Sequence, residues 1–209
     1  MIKAVVRFAL LALFLPLLLQ ATPILKDDLL IPEASKLIET MGDELLQKTG
    51  IYEYVIATNE KFPERYNLVA YTKQYEANMS KPYVVLIFAP NALITKESGQ
   101  KGRVAVIASS KEIASLYHKS DVMDATIDVI ATKDKNTNED KFNIGIVQGF
   151  SELADQIAAS KEVKLTTTIP NDTRVMIGYV KILVYIGSLF VLWIFILRPI
   201  IVRIKNGKK

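Results

Sequence analysis

The 209-residue chain has no cysteine and a single histidine, which excludes disulfides, thiolate metal sites, cysteine nucleophiles and multi-histidine metal centres. Its formal charge of +4 and pI near 9.1 suggest a nucleic-acid partner at first sight, yet residues 23–173 hold 17 Lys and Arg against 22 Asp and Glu, a balance of −5. The surplus cations all flank or lie within apolar terminal segments, so the central part lacks the basic face that nucleic acid requires.

Lys3 and Arg7 precede a short apolar run over residues 8–19, the pattern of a secretory signal peptide, expected over residues 1–22 with small Ala21 as a cleavage point. An uncleaved anchor is the alternative reading. A run of a dozen apolar residues is short for about 30 Å of hydrocarbon.

Residues 23–160 then read as one α/β domain, large enough to fold without staples. Leu37, Ile38, Met41, Leu45 and Leu46 recur at helical spacing over 32–48, with Gly50 placed to end that helix. Residues 51–58, β-branched and aromatic, predict a strand, and 65–78 return to helical spacing until Pro82. The nearly unbroken apolar run 83–89 predicts a strand buried on both faces, and 103–108 a second strand antiparallel to it. Helices are expected over 111–118, 122–132 and 141–160, with a charged, mobile loop at 133–140.

Residues 161–174 read as a tether. The apolar run 175–197 is long enough to cross a bilayer, with Lys181 near its outer end where a long stem carries the ammonium to the headgroups. Arg198, Arg203, Lys205, Lys208 and Lys209 make the following tail, 198–209, strongly basic, which places that end in the cytoplasm and the domain outside it, in the periplasm of an inner-membrane, single-pass protein.

From about residue 30 to 160, the order of elements resembles the TPM domain family. The likeness rests on Leu45-Leu46-Gln47-Lys48-Thr49-Gly50, on the strand Val84-Val85-Leu86-Ile87, and on Gly145-Ile146-Val147-Gln148-Gly149. A signal at one end and a membrane helix at the other complete the family arrangement. The resemblance implies an α/β/α sandwich with a small mixed sheet. It also implies one of two functions: an accessory factor that binds protein partners and assists assembly or maintenance of a membrane complex, or an acid phosphatase acting on phosphomonoesters. The chain departs from the family pattern at Lys81-Pro82-Tyr83, where members carry Asp or Asn and Gly, and at Ala108-Ser109-Ser110-Lys111, where they carry glycines.

Metal-assisted phosphoryl transfer needs cations or a metal to neutralise oxygen charge. Asp121, Asp124 and Asp128 are spaced to share one helical face and form the candidate site for a divalent cation, Ca or Mg; alternatively, Asp121 and Asp124 simply favour the helix N-terminus. His118 is placed to cap or to lie at the surface. Ser109 and Ser110, between a strand and a helix, suit either phosphate binding or N-capping. Asn78-Met79-Ser80 is a glycosylation acceptor pattern, or else a polar helix end. No Gly-rich phosphate loop or dinucleotide fingerprint occurs.

Overall fold

The computed structural model describes residues 22–170 and 172–206 and divides them into two units, 22–169 and 170–206. The expected signal peptide, apart from its last residue, lies outside the described residues, as do Lys208, Lys209 and the side chain of Lys181.

The first unit is mixed α/β. Strand β1 (Ile24–Asp27) is followed by α1 (Pro32–Thr49), β2 (Tyr52–Ala57), α2 (Leu68–Thr72) and a 3-10 turn (Lys73–Asn78). Strands β3 (Tyr83–Leu93) and β4 (Lys101–Ala108) form a hairpin, and α3 (Lys111–Ala114), α4 (Lys119–Ala131) and α5 (Asn138–Ser160) complete the unit. The four strands lie in the order β1-β2-β3-β4, with β1 and β3 parallel to β2 and β4 antiparallel to β3. The 83–89 run therefore occupies an interior position, and its residues Val84–Ala89 are almost wholly buried.

Strand alternation sorts the core into two clusters, one on each face of the sheet. Ile51, Val55, Ala57, Val84, Leu86 and Phe88 face Ile38, Met41 and Leu45 of α1 and Ile146, Phe150, Leu153 and Ile157 of α5. Tyr54, Ile56, Val85 and Ile87 face a thinner layer formed by Phe62, Leu68 and Tyr71. Local signals set the helix ends. Gly50 closes α1 at φ 72°, a left-handed conformation that costs glycine little, and Thr137 with Asp140 forms a reciprocal capping box at the start of α5.

Several boundaries differ from the sequence expectation. β1 was not anticipated. The 65–78 segment breaks into α2 and a 3-10 turn, because Asn67 accepts from the N–H groups of Val69 and Ala70 and starts the helix late. β3 runs on through Pro90 to Leu93, with a register shift between Ala89 and Leu93 where proline costs no ladder bond.

The segment expected as a tether is bonded to the domain as far as Ile169. Leu165 is buried, the Thr166 and Thr167 N–H and hydroxyl groups donate to the Glu44 carboxylate at 2.6–2.9 Å, and the Thr168 hydroxyl donates to Asp155 at 2.8 Å. Ile169 exchanges two bonds with Ser151: its N–H donates to Oγ at 2.7 Å and its carbonyl accepts from Oγ at 3.1 Å. Residues 163–169 are a strap.

The second unit is helical: α6 (Asp172–Leu192), a π-helical turn (Trp193–Leu197) and α7 (Arg198–Asn206). The π turn ends one residue before Arg198-Pro199, and Pro199 lacks the N–H that would continue the ladder and crowds the carbonyl four residues back, at Phe195 within the turn. Within this unit Ile182–Ile201, with a mean hydropathy of 2.1, is long and apolar enough to cross a membrane.

Candidate functional site

Glu53 is the most unusual residue of the domain. It sits on β2 opposite Val84, with the parity of Ile51, Val55 and Ala57, so its side chain enters the helix-covered face of the sheet. It is 2% exposed, and neither carboxyl oxygen has a hydrogen-bond partner. Burial, and then the charge of Asp155, push its pKa well above the ordinary glutamate value, which favours the neutral acid. A buried neutral carboxyl is a proton donor held in an apolar setting.

Two groups share this region. Tyr117, 8% exposed, has its phenol pushed up to about 12 by burial and by the charge of Glu53. Asp155 on α5 is raised by burial, against the Thr168 hydroxyl that favours its charged form, and raised further by Glu44. Gln156, one residue along α5, ties that helix to the start of α4 through its Oε1, which accepts from the His118 N–H at 2.6 Å, while its Nε2 donates to Glu152 of the same helix at 2.6 Å.

Tyr117 also lines an open groove of about 600 Å³ beside the outer edge of β4, bordered by Val106, Ala108, Ser110, Lys111 and Lys119. Its lining joins apolar strand residues with two lysines and a serine. Such a groove suits an extended or anionic ligand better than a compact hydrophobic one.

The residues singled out in the sequence lie as follows. Asp121 is partly buried in the first turn of α4 and accepts from the Ser120 hydroxyl at 3.3 Å, while Asp124 and Asp128 are exposed on the same helix. Among the described residues, no group of three His, Asp or Glu is arranged to hold a metal ion. His118 stands at the N-cap of α4 with its side chain exposed and not capping. Ser110 caps α3 by accepting from the Ile113 N–H, and Ser109 Oγ accepts from the Tyr83 N–H. Asn78 is exposed at the last position of the 3-10 turn, two residues before exposed Ser80.

Sequence reading missed Glu53. Its signal was a carboxylate on the inward parity of a strand whose other inward residues are all apolar.

The fold and its groove define a mixed α/β domain followed by one helix apolar enough to span a membrane. Neither comparison, with models of protein families or with curated proteins, finds a match to this chain.

Proposed function

We propose that this chain is a membrane-tethered partner-binding protein whose TPM-like α/β/α domain lies in the periplasm and assists the assembly or maintenance of a membrane complex. The observation that carries this reading is the strap. Ile169 is bonded to Ser151, and only residues 170–181, helical from Asp172, separate it along the chain from the Ile182–Ile201 span. A domain held on so short a connection meets other membrane proteins at an effective concentration of about millimolar, so modest contacts suffice. The two apolar clusters, one on each face of the sheet, support the sandwich reading. The basic residues after the span support the orientation.

Orientation is directly testable because the chain has no native cysteine. A membrane-impermeant maleimide is expected to label Glu97→Cys in spheroplasts and to label Asn206→Cys only after lysis; the reverse pattern would sink the periplasmic placement. Partner binding is tested by in-membrane crosslinking of the tagged full chain, compared with a chain lacking residues 51–160. A reproducible partner lost with the domain supports the reading, and identical captures overturn it. Phosphomonoester hydrolysis that needs a divalent cation and disappears in Asp121→Ala or Asp124→Ala would instead establish the phosphatase alternative.

A further inference from the structure

Among the described residues β4 is an edge strand, paired with β3 on one side and with no strand on the other. The Ser109 N–H donates to the Tyr83 carbonyl at 2.9 Å, which fixes the parity of the antiparallel ladder. Given the register Val85↔Ile107, Ile87↔Ala105 and Ala89↔Arg103, residues 103, 105 and 107 direct their backbone groups toward β3. Val104, Val106 and Ala108 therefore direct theirs outward. Among the described residues none of these three outward peptide groups meets a backbone partner, Val104 and Ala108 being half-buried and Val106 4% exposed, and an eight-residue edge of this kind is a template for another strand. β1, at the opposite edge, has only four residues.

Val106 and Ala108, two of the three residues with outward peptide groups, also line the groove, so a strand added at this edge would run beside it. We infer that the free edge of β4 receives an extended acidic segment of a partner protein as a fifth strand, with side chains seated in the groove between Val106, Tyr117 and the two lysines. This inference rests on the partner-binding reading and specifies its mode: backbone bonds supply affinity, and the groove supplies selectivity.

Charge selects the occupant. Lys111 and Lys119 line the groove and Lys101 begins the strand, and none of the three enters an ion pair among the described residues. Of the carboxylates nearest along the chain, Glu112 beside Lys111 is engaged by the Ser110 hydroxyl and its own backbone, and Asp121, two residues after Lys119, accepts from the Ser120 hydroxyl at 3.3 Å. Pairing β4 with β4 of a second copy would bring the cations of both copies to one seam, so the same lysines that attract an acidic strand oppose self-association.

The test uses the full chain in lipid nanodiscs and a fluorescent eight-residue peptide of alternating glutamate and valine, read by anisotropy. Binding is expected with a Kd at or below about 100 µM, with the lysine–valine counterpart weaker by at least about tenfold. Val106→Pro removes one outward N–H at an edge that tolerates proline and is expected to weaken binding by about tenfold or more. The double substitution Lys111→Glu, Lys119→Glu should transfer preference to the lysine–valine peptide. Should Val106→Pro fail to fold by circular dichroism, N-methylation of alternate peptide bonds in the probe removes donors from the other side, and loss of binding is again expected. The inference is overturned by equal binding of both peptides, by no binding up to about 1 mM, by full binding to folded Val106→Pro, or by a wild-type dimer that Val106→Pro dissociates. A membrane partner captured equally by wild type and folded Val106→Pro would overturn the edge-strand mode and leave the partner reading standing. Loss of the partner reading itself shows only as identical captures with and without residues 51–160.

Discussion

A Cβ added at Gly149 would lie 1.9 Å from Oγ1 of Thr126, so α5 crosses α4 closer than any larger residue at 149 allows. Gly145, one turn earlier, lies under the Thr126 carbonyl, at 2.7 Å from its own missing Cβ. Gly149→Ala should therefore destabilise the domain by about 1–3 kcal/mol, overriding the gain of up to about 1 kcal/mol that alanine brings to a helix. Adding Thr126→Ala removes the clashing hydroxyl, and the double variant should recover part of the loss. Urea unfolding of the three variants measures the coupling, and additive effects would count against close packing here.

Burial raises Glu53, with Asp155 adding to the shift, so the fold tolerates Glu53 as the neutral acid and loses stability when it ionises. The unfolded chain releases that proton near pH 4.3, and stability should decline as pH climbs from there toward the folded value. Asp155, also raised, adds to the same slope. Glu53→Gln should flatten the dependence and exceed wild type in stability at pH 8. Replacing the group with methionine removes an unsatisfied buried carboxyl, worth on the order of 1–3 kcal/mol. Thermal melts between about pH 5 and 8 decide the matter; parallel wild-type and Glu53→Gln curves would contradict it.

Glu44 behaves oppositely. Burial works to raise it, but the Lys48 ammonium, the Thr167 hydroxyl and the Thr166 and Thr167 N–H groups outweigh burial and hold it well below the usual range. Its contribution is complete above the unfolded value of about 4.3 and fades as pH falls beneath it. Glu44→Ala at neutral pH should loosen the strap by about 2 kcal/mol and speed proteolysis between residues 161 and 170. Unchanged cleavage would show that Leu165 and Ser151 hold the strap without it.

A soluble fragment of residues 22–169 should unfold cooperatively and melt higher than one of residues 22–160, which loses buried Leu165 and both Ile169 bonds. Matching melting curves would mean the strap adds nothing to the fold.

Periodicity made the long elements readable. α1 and α5 carry apolar residues at helical spacing, and the 83–89 run could be interior only in a sheet covered on both faces. β1 escaped because Ile24–Asp27 is too short to establish alternation, and its assignment depends on pairing with Val55–Ala57. The break at Asn67 was written in a residue that caps helices, but the apolar spacing on either side masked it. The strap looked like a polar linker because its threonines find their acceptors 122 and 123 residues earlier, on Glu44, and 13 residues earlier, on Asp155. For the groove, Ser110 and Lys111 were visible as a strand-to-helix junction, whereas the free edge of β4 became defined only once the strand order was known.

The strap also determines how the protein bears load. With the Ile182–Ile201 helix anchored as proposed, tension drawn through the chain would reach the domain at Ile169 and first load its paired bonds to Ser151 on α5. Thr168 on Asp155 comes next, and then Thr167 and Thr166 on Glu44, so the bonds open one after another. Sequential peeling fails at lower force than simultaneous rupture. On that proposed anchoring, the strap would lengthen residue by residue before the core is strained, up to about 3.3–3.6 Å for each residue released.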